Sequence, residues 1–198
     1  MKKNLLYFIA FSILVIILFT SYCFKNQKNK IKLLEENIAL LKEENIPLKF
    51  KISEKTNDSI TLTIKLYNAD NKEINEIKQK LSGQELSFDF YVVQIKDKYV
   101  AFPSKIFTDK IAAADGINLY GYYDRNSYPE IFYHTDINKD VYDGLQDIFT
   151  KIKAGQLDSI NNYFGNMVHD IKEFKSFLPG NVYSIVTRTK GGIEIIEE

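Results

Sequence analysis

Residues 48–66 read LKFKISEKTNDSITLTIKL, and their alternation sets the fold class. Apolar side chains occupy every second position, Leu48-Phe50-Ile52 and then Ile60-Leu62-Ile64-Leu66. That is the period of a strand with one face in a core. Between the two runs, Lys55-Thr56-Asn57-Asp58 supplies turn chemistry, because short polar side chains bond to their own backbone. A β-hairpin therefore opens the domain.

Further strands follow downstream. Leu86 to Ile95 (LSFDFYVVQI) is the strongest, and Asp97-Lys98 turns it into Tyr99-Val100-Ala101-Phe102. Ile117–Tyr123 and Glu130–His134 flank the turn-forming DRNSYP, and Val182–Arg188 with Ile193–Ile196 closes the chain around Lys190-Gly191-Gly192. Helical spacing appears in four places. Asp70 with Glu73 resembles a capping box ahead of Ile74, Ile77 and Leu81, with Gly83 as the stop. A short helix spans Ser104–Ala113. Val141, Leu145, Ile148, Phe149 and Ile152 form one apolar stripe, and Leu157, Ile160, Phe164, Val168, Ile171, Phe174 and Leu178 a second, ended by Pro179-Gly180. Strands in sequence-adjacent pairs with helices between or after them predict an α+β domain over residues 48–198. One mostly antiparallel sheet would carry helices on one face.

Upstream of Leu48 the pattern changes. Pro47 ends a helical stretch, since proline lacks the amide donor and clashes with the preceding turn. Residues 28–46 (KNKIKLLEENIALLKEENI) place Ile31, Leu34, Ile38, Leu41 and Asn45 at heptad a/d spacing. This stalk, residues 25–47, is expected to be a coiled-coil-like helix. It is either a seam for self-association through residues 28–46 or an amphipathic linker, because the seam runs for only about two and a half heptads. Before it, Leu5 to Phe24 is uncharged, and about twenty apolar residues cross the roughly 30 Å hydrocarbon core. Residues 5–24 are thus read as a transmembrane signal-anchor behind a four-residue cytoplasmic tail, residues 1–4. Two alternatives stand beside it: a cleaved signal peptide, and a lipoprotein modified at Cys23. A short Lys-bearing tail stays in the cytosol. The C-terminal domain is accordingly placed outside the cytoplasmic membrane of a bacterial envelope.

Composition excludes several function classes. Acidic and basic residues balance at 26 each, but residues 1–47 carry seven lysines against four glutamates, which leaves the domain slightly acidic. Nucleic-acid affinity is mostly phosphate neutralisation, and the domain has no basic stripe and only the arginines Arg125 and Arg188. No nucleic-acid partner is expected. Cys23 is the single cysteine, so the domain holds no disulfide, Cys-based zinc site or thiol nucleophile. No serine has a lysine three residues on, and GxSxG, GxGxxG and HExxH are missing. No cofactor is implied.

Three local features remain as candidates. Asp136, Asn138 and Asp140 stand at positions 1, 3 and 5 of a calcium loop, but Val141 replaces the glycine at position 6 and Asp147 the glutamate at position 12. Asn138 or Asp140 is equally a helix N-cap. His134, near Asp136, is a possible acid–base group. Tyr120, Tyr122, Tyr123, Tyr128 and Tyr133 with Phe132 form an aromatic run that serves either as a sugar or peptide platform or as ordinary strand core. The reading that absorbs most of these features is a membrane-anchored envelope protein whose domain binds a protein or envelope partner. A hydrolase using carboxylates or His134 is the alternative activity.

Overall fold

The structure is a computed structural model that describes residues 20–22, 25, 43–95, 98–157, 159–160, 167–171, 174–175 and 177–198. The anchor and stalk expectations fall almost wholly outside these residues; Thr20–Tyr22 and Lys25 are helical. Among the described residues no helix is long and apolar enough to cross a membrane.

The domain is mostly antiparallel sheet with a few helices. β1 (Glu44–Lys55) and β2 (Ser59–Tyr67) form the expected hairpin, extended by β3 (Glu73–Ser82). After β4 (Leu86–Ile95) and β5 (Lys98–Thr108) come a 3₁₀ turn at Ala113–Asp115 and β6 (Ile117–Asn118). Helix α1 (Tyr120–Tyr123), the small hairpin β7 (Asp124–Arg125) and β8 (Tyr128–Pro129), a 3₁₀ turn at Glu130–Phe132 and helix α2 (Lys139–Lys153) follow. The remaining strands are β9 (Met167–Ile171), β10 (Phe174–Lys175), β11 (Val182–Arg188) and β12 (Ile193–Glu197).

The strands divide between two large sheets, not the one expected. The first has the order β12-β11-β1-β2-β3; the second runs β10-β4-β5-β6, with β9 also paired to β4. Alternation in the first sheet buries Leu48, Phe50, Ile52, Ile60, Leu62, Ile64 and Leu66. Phe50 stands between the sheets, with ring centroids 4.8 Å from Phe88, 4.9 Å from Phe177 and 5.2 Å from Tyr183. Register puts Tyr91 opposite Phe102 on the other face of the second sheet. There Phe102 meets Phe149 of α2 at 6.1 Å and Phe132 at 5.1 Å. The result is three layers: sheet, sheet and helix. The outer face of the first sheet is ionic, with Lys65 paired to Glu73 at 2.8 Å and Glu76 at 3.4 Å. Exposed pairs of this kind contribute little to stability, because water and salt screen them.

Several expected elements are different in the structure, each for a physical reason. The expected helix over residues 70–83 is β3. Ile77 and Leu81 are four apart, a spacing that satisfies both a helical face and a strand face, and β2 offers a full ladder opposite them. The turn into β3 is held by Asn68, whose side chain accepts the amides of Asp70 and Lys72 at 3.0 and 2.9 Å. The expected helix over Ser104–Ala113 is replaced by the second half of β5. That strand is buried on both faces between sheet and helix, so it shows no alternation to read. A bulge between Asp89 and Phe90 accommodates the chain around Pro103.

The second expected apolar stripe, Leu157–Leu178, is not one helix. Leu157, Ser159 and Ile160 are helical, but Met167–Ile171 and Phe174–Lys175 pair with the free edge of β4. Tertiary pairing overrides a weak local preference. The helix expected to run to Pro47 does not include its last four positions. Glu44 to Pro47 belong to β1, and Asn45 faces Thr187 of β11, its amide donating to the carbonyl of Ile131 at 3.2 Å. Pro47 fits because the register shifts between Asn45 and Leu48; a bulge makes no ladder demand on its missing N–H. By contrast, α2 and the β11–β12 hairpin agree with expectation.

Candidate functional site

The connection from β6 to α2 carries little regular structure and most of the aromatic run. Its short elements are fixed by local bonds. Asn126 and Ser127 both have positive φ, 54° and 66°, the geometry of a tight two-residue hairpin turn. The Ser127 amide donates to Asp124 Oδ1 at 2.8 Å, and Gln146 Nε2 of α2 donates to the Asn126 carbonyl at 2.8 Å. Asp124 is also paired to Lys153 of the same helix. The hairpin is thus pinned to α2 along its length.

Beyond the hairpin, the 3₁₀ turn places Glu130 and Tyr133 on the same side as Arg125. The Tyr133 amide donates to the Glu130 carbonyl at 2.9 Å, and Arg125 Nη1 meets Glu130 Oε1 at 2.8 Å. Tyr142, in the first turn of α2, lies flat on Tyr128 with centroids 4.0 Å apart and planes 2° apart. Arg125, Asn126, Tyr128, Glu130, Tyr133 and Tyr142 enclose a cleft of about 150 Å³. Tyr128 is 1% exposed, and its buried hydroxyl makes no hydrogen bond among the described residues. Burial, together with the neighbouring Tyr142 and Tyr133, pushes its phenol well above the usual tyrosine value. It stays protonated at any ordinary pH.

The five tyrosines of the sequence run therefore separate. Tyr128 and Tyr133 meet in the cleft. Tyr123 is core: its hydroxyl donates to the Pro103 carbonyl at 2.6 Å, and burial raises it in the same direction as Tyr128. Tyr120 packs between Tyr91 and Phe149, and Tyr122 is half-buried, its carbonyl accepting from Asn75 Nδ2 at 3.0 Å. Sequence reasoning missed Tyr142, Arg125, Asn126 and Glu130. Arg125 carried a faint signal as one of two arginines in the chain, but Tyr142 sits on the flank of the α2 stripe and nothing in the periodicity marks it.

A larger cavity, about 240 Å³, lies on the helix side of the second sheet. Asp89, Ser104, Lys105 and Tyr120 line it with Tyr91 and Ile152. Asp89 is buried. Lys105 Nζ donates to the carbonyls of Ala113 and Ala114 at 3.0 and 2.7 Å. The ammonium thereby caps the 3₁₀ turn and holds that loop on β5.

His134 is in neither cavity. It borders a void of about 20 Å³ with Asn45, Arg188 and Thr189, room for about one water. No carboxylate is among the described residues lining it. His169 is on β9 opposite Val92. Asn138 is the N-cap of α2, its side chain accepting the Asp140 amide at 2.8 Å. Among the described residues, no group of three or more His, Cys, Asp or Glu side chains is arranged to hold a metal ion. Cys23 lies outside the described residues.

Compared with protein-family models, curated proteins and solved structures, the chain matches none.

Proposed function

We propose that the chain is a membrane-anchored binding module of the bacterial cell envelope, with the tyrosine cleft as its binding site. One observation carries this reading. The cleft combines aromatic walls, partly open to solvent at Tyr133 and Tyr142, with convergent polar groups on a hairpin pinned to a helix. Concave sites with aromatic walls and a few placed polar groups are the usual form of a ligand pocket, and a rigid mount lowers the ordering cost of binding. The anchor reading of residues 5–24 supplies the location, and the stalk reading of residues 28–46 supplies a seam for self-association. Lipid attachment at Cys23 is the alternative mode of anchoring and leaves the binding role unchanged.

The hydrolase alternative has less support. Acid–base hydrolysis needs two groups placed on opposite sides of a reacting bond. The 240 Å³ cavity offers one carboxylate, Asp89, and a lysine held by two backbone carbonyls. His134 faces a void too small for a substrate.

The test is photo-cross-linking of the full anchored chain in cells, with the reactive side chain at Tyr133 and, as control, at Lys78 on the far sheet. Partners captured from Tyr133 and not from Lys78 support the cleft. Equal capture from both positions, or turnover of an envelope substrate that survives Tyr133→Ala but not Asp89→Asn, overturns it. Mass spectrometry of the same sample reports lipid on Cys23.

A further inference from the structure

The charge balance of the cleft narrows its occupant. We infer that it takes a single uncharged saccharide ring; this rests on the reading of the cleft as a binding site. Size is the first constraint. A cavity of about 150 Å³ has room for a six-membered ring.

The walls give the second constraint. Tyr142 cannot turn freely, because it is stacked on the buried Tyr128 at 4.0 Å. Tyr133 is 37% exposed. Tyrosine faces are electron-rich and attract the weakly positive C–H groups on one face of a sugar ring.

The polar groups give the third. Neither the Tyr133 nor the Tyr142 hydroxyl, nor the Asn126 side-chain amide, has a hydrogen-bond partner among the described residues. Hydroxyl and amide groups both donate and accept, which suits a polyol that does the same. Arg125 and Glu130 neutralise one another at 2.8 Å. An ammonium would reach Glu130 only beside the Arg125 guanidinium, and an anion would reach Arg125 only beside the Glu130 carboxylate. For either charged ligand the neighbouring like charge cancels most of the attraction. A neutral ring loses nothing to that pair and hydrogen-bonds to both members.

The experiment titrates the full-length chain in a detergent without a sugar headgroup. The probes are glucose, galactose, N-acetylglucosamine, an N-acetylglucosamine tetramer, tetramethylammonium and acetate. The chain has no tryptophan, so tyrosine emission reports directly. Expected is saturable binding of at least one saccharide with a millimolar Kd, weakened about tenfold or more by Tyr133→Ala and by the paired change Arg125→Ala with Glu130→Gln. His134→Ala leaves it unchanged. Tighter binding of the tetramer than of its monomer assigns the ring to a glycan; equal affinity per ring assigns it to a free sugar. Both support the inference. Saturation by tetramethylammonium or acetate with no response to sugars overturns it while the cleft stands as a binding site. No response to any probe, with in-cell cross-links from Tyr133 no different from Lys78, overturns both. Tyr133 is exposed, so its substitution leaves the core packed.

Discussion

The β1–β2 hairpin and the segment from Leu119 to Tyr142 are both rich in large side chains, and they use them in opposite ways. In the hairpin every second residue is buried, and Leu48, Phe50, Ile52 and the four alternating residues of β2 are at most 1% exposed. In the later segment Tyr123 and Tyr128 are buried as deeply, while Tyr133 stays partly in solvent. A hydrogen-bonded ladder forces a strict period of two, so burial follows from position. Up to α2 the later segment is a chain of two- to four-residue elements, and the β7–β8 ladder is too short to impose a period. Each side chain there is placed by what it meets across the fold. The first region is built for cohesion, and the second leaves polar groups and rings available.

This contrast can be broken or sharpened by substitution. Phe50→Ala gives the largest effect, because Phe50 joins the sheets through Phe88 and packs on Phe177 and its own neighbour Tyr183. A buried Phe→Ala change costs about 3–5 kcal/mol, read as a lowered urea midpoint. A loss under about 1 kcal/mol would mean that the two sheets do not share this core. Tyr123→Phe comes next. It removes the donor to the Pro103 carbonyl inside the core, and an orphaned buried acceptor costs about 1–3 kcal/mol.

The third test concerns pH. Asp109 accepts the amides of Gln84 and Glu85 at 2.6 and 2.9 Å, and these bonds hold its carboxyl below the usual aspartate value. The folded state therefore keeps the charge to lower pH than the unfolded chain. Its contribution to stability is complete above the unfolded value, about pH 4, and is lost as pH falls through the lower folded value. Asp109→Asn should flatten the stability curve below about pH 4, seen in thermal melts taken between pH 2 and 6. An unchanged acid limb would show that the β4 entry turn does not depend on that charge.

Tyr128→Phe has the smallest expected effect. The Tyr128 hydroxyl is buried without a partner among the described residues, so its removal should leave stability within about 0.5 kcal/mol or raise it slightly. Tyr123→Phe and Tyr128→Phe delete the same atom at the same depth, and the difference between their unfolding midpoints isolates one hydrogen bond. Equal losses would mean that Tyr128 has a partner in solution, such as a water or a ligand in the cleft.

What could be read from the sequence follows the same division. The β1–β2 hairpin, β4, α2 and the closing β11–β12 hairpin were legible because each buries one face and exposes the other. β3 was not, because Ile77 and Leu81 satisfy two periods at once. The second half of β5 was not, because it is covered on both faces and its pattern carries no phase. Of the cleft, Tyr128 and Tyr133 were in view as members of an aromatic run. Nothing in that run told which rings would be core. Tyr142 and Glu130 reach the cleft through the packing of α2 and the 3₁₀ turn.

The sequence by itself determined an apolar segment long enough for a membrane, an α+β domain with mostly antiparallel strands, and the absence of cysteine downstream of Cys23. Those are properties of local period, length and charge, and they need no knowledge of what lies opposite. Only the tertiary structure decided that the strands form two sheets, that Glu44 to Pro47 extend β1, and that three tyrosines gather around an Arg125–Glu130 pair. Each of these depends on which distant segment supplies the hydrogen bonds or the covering surface, and that choice is made by packing across the whole domain.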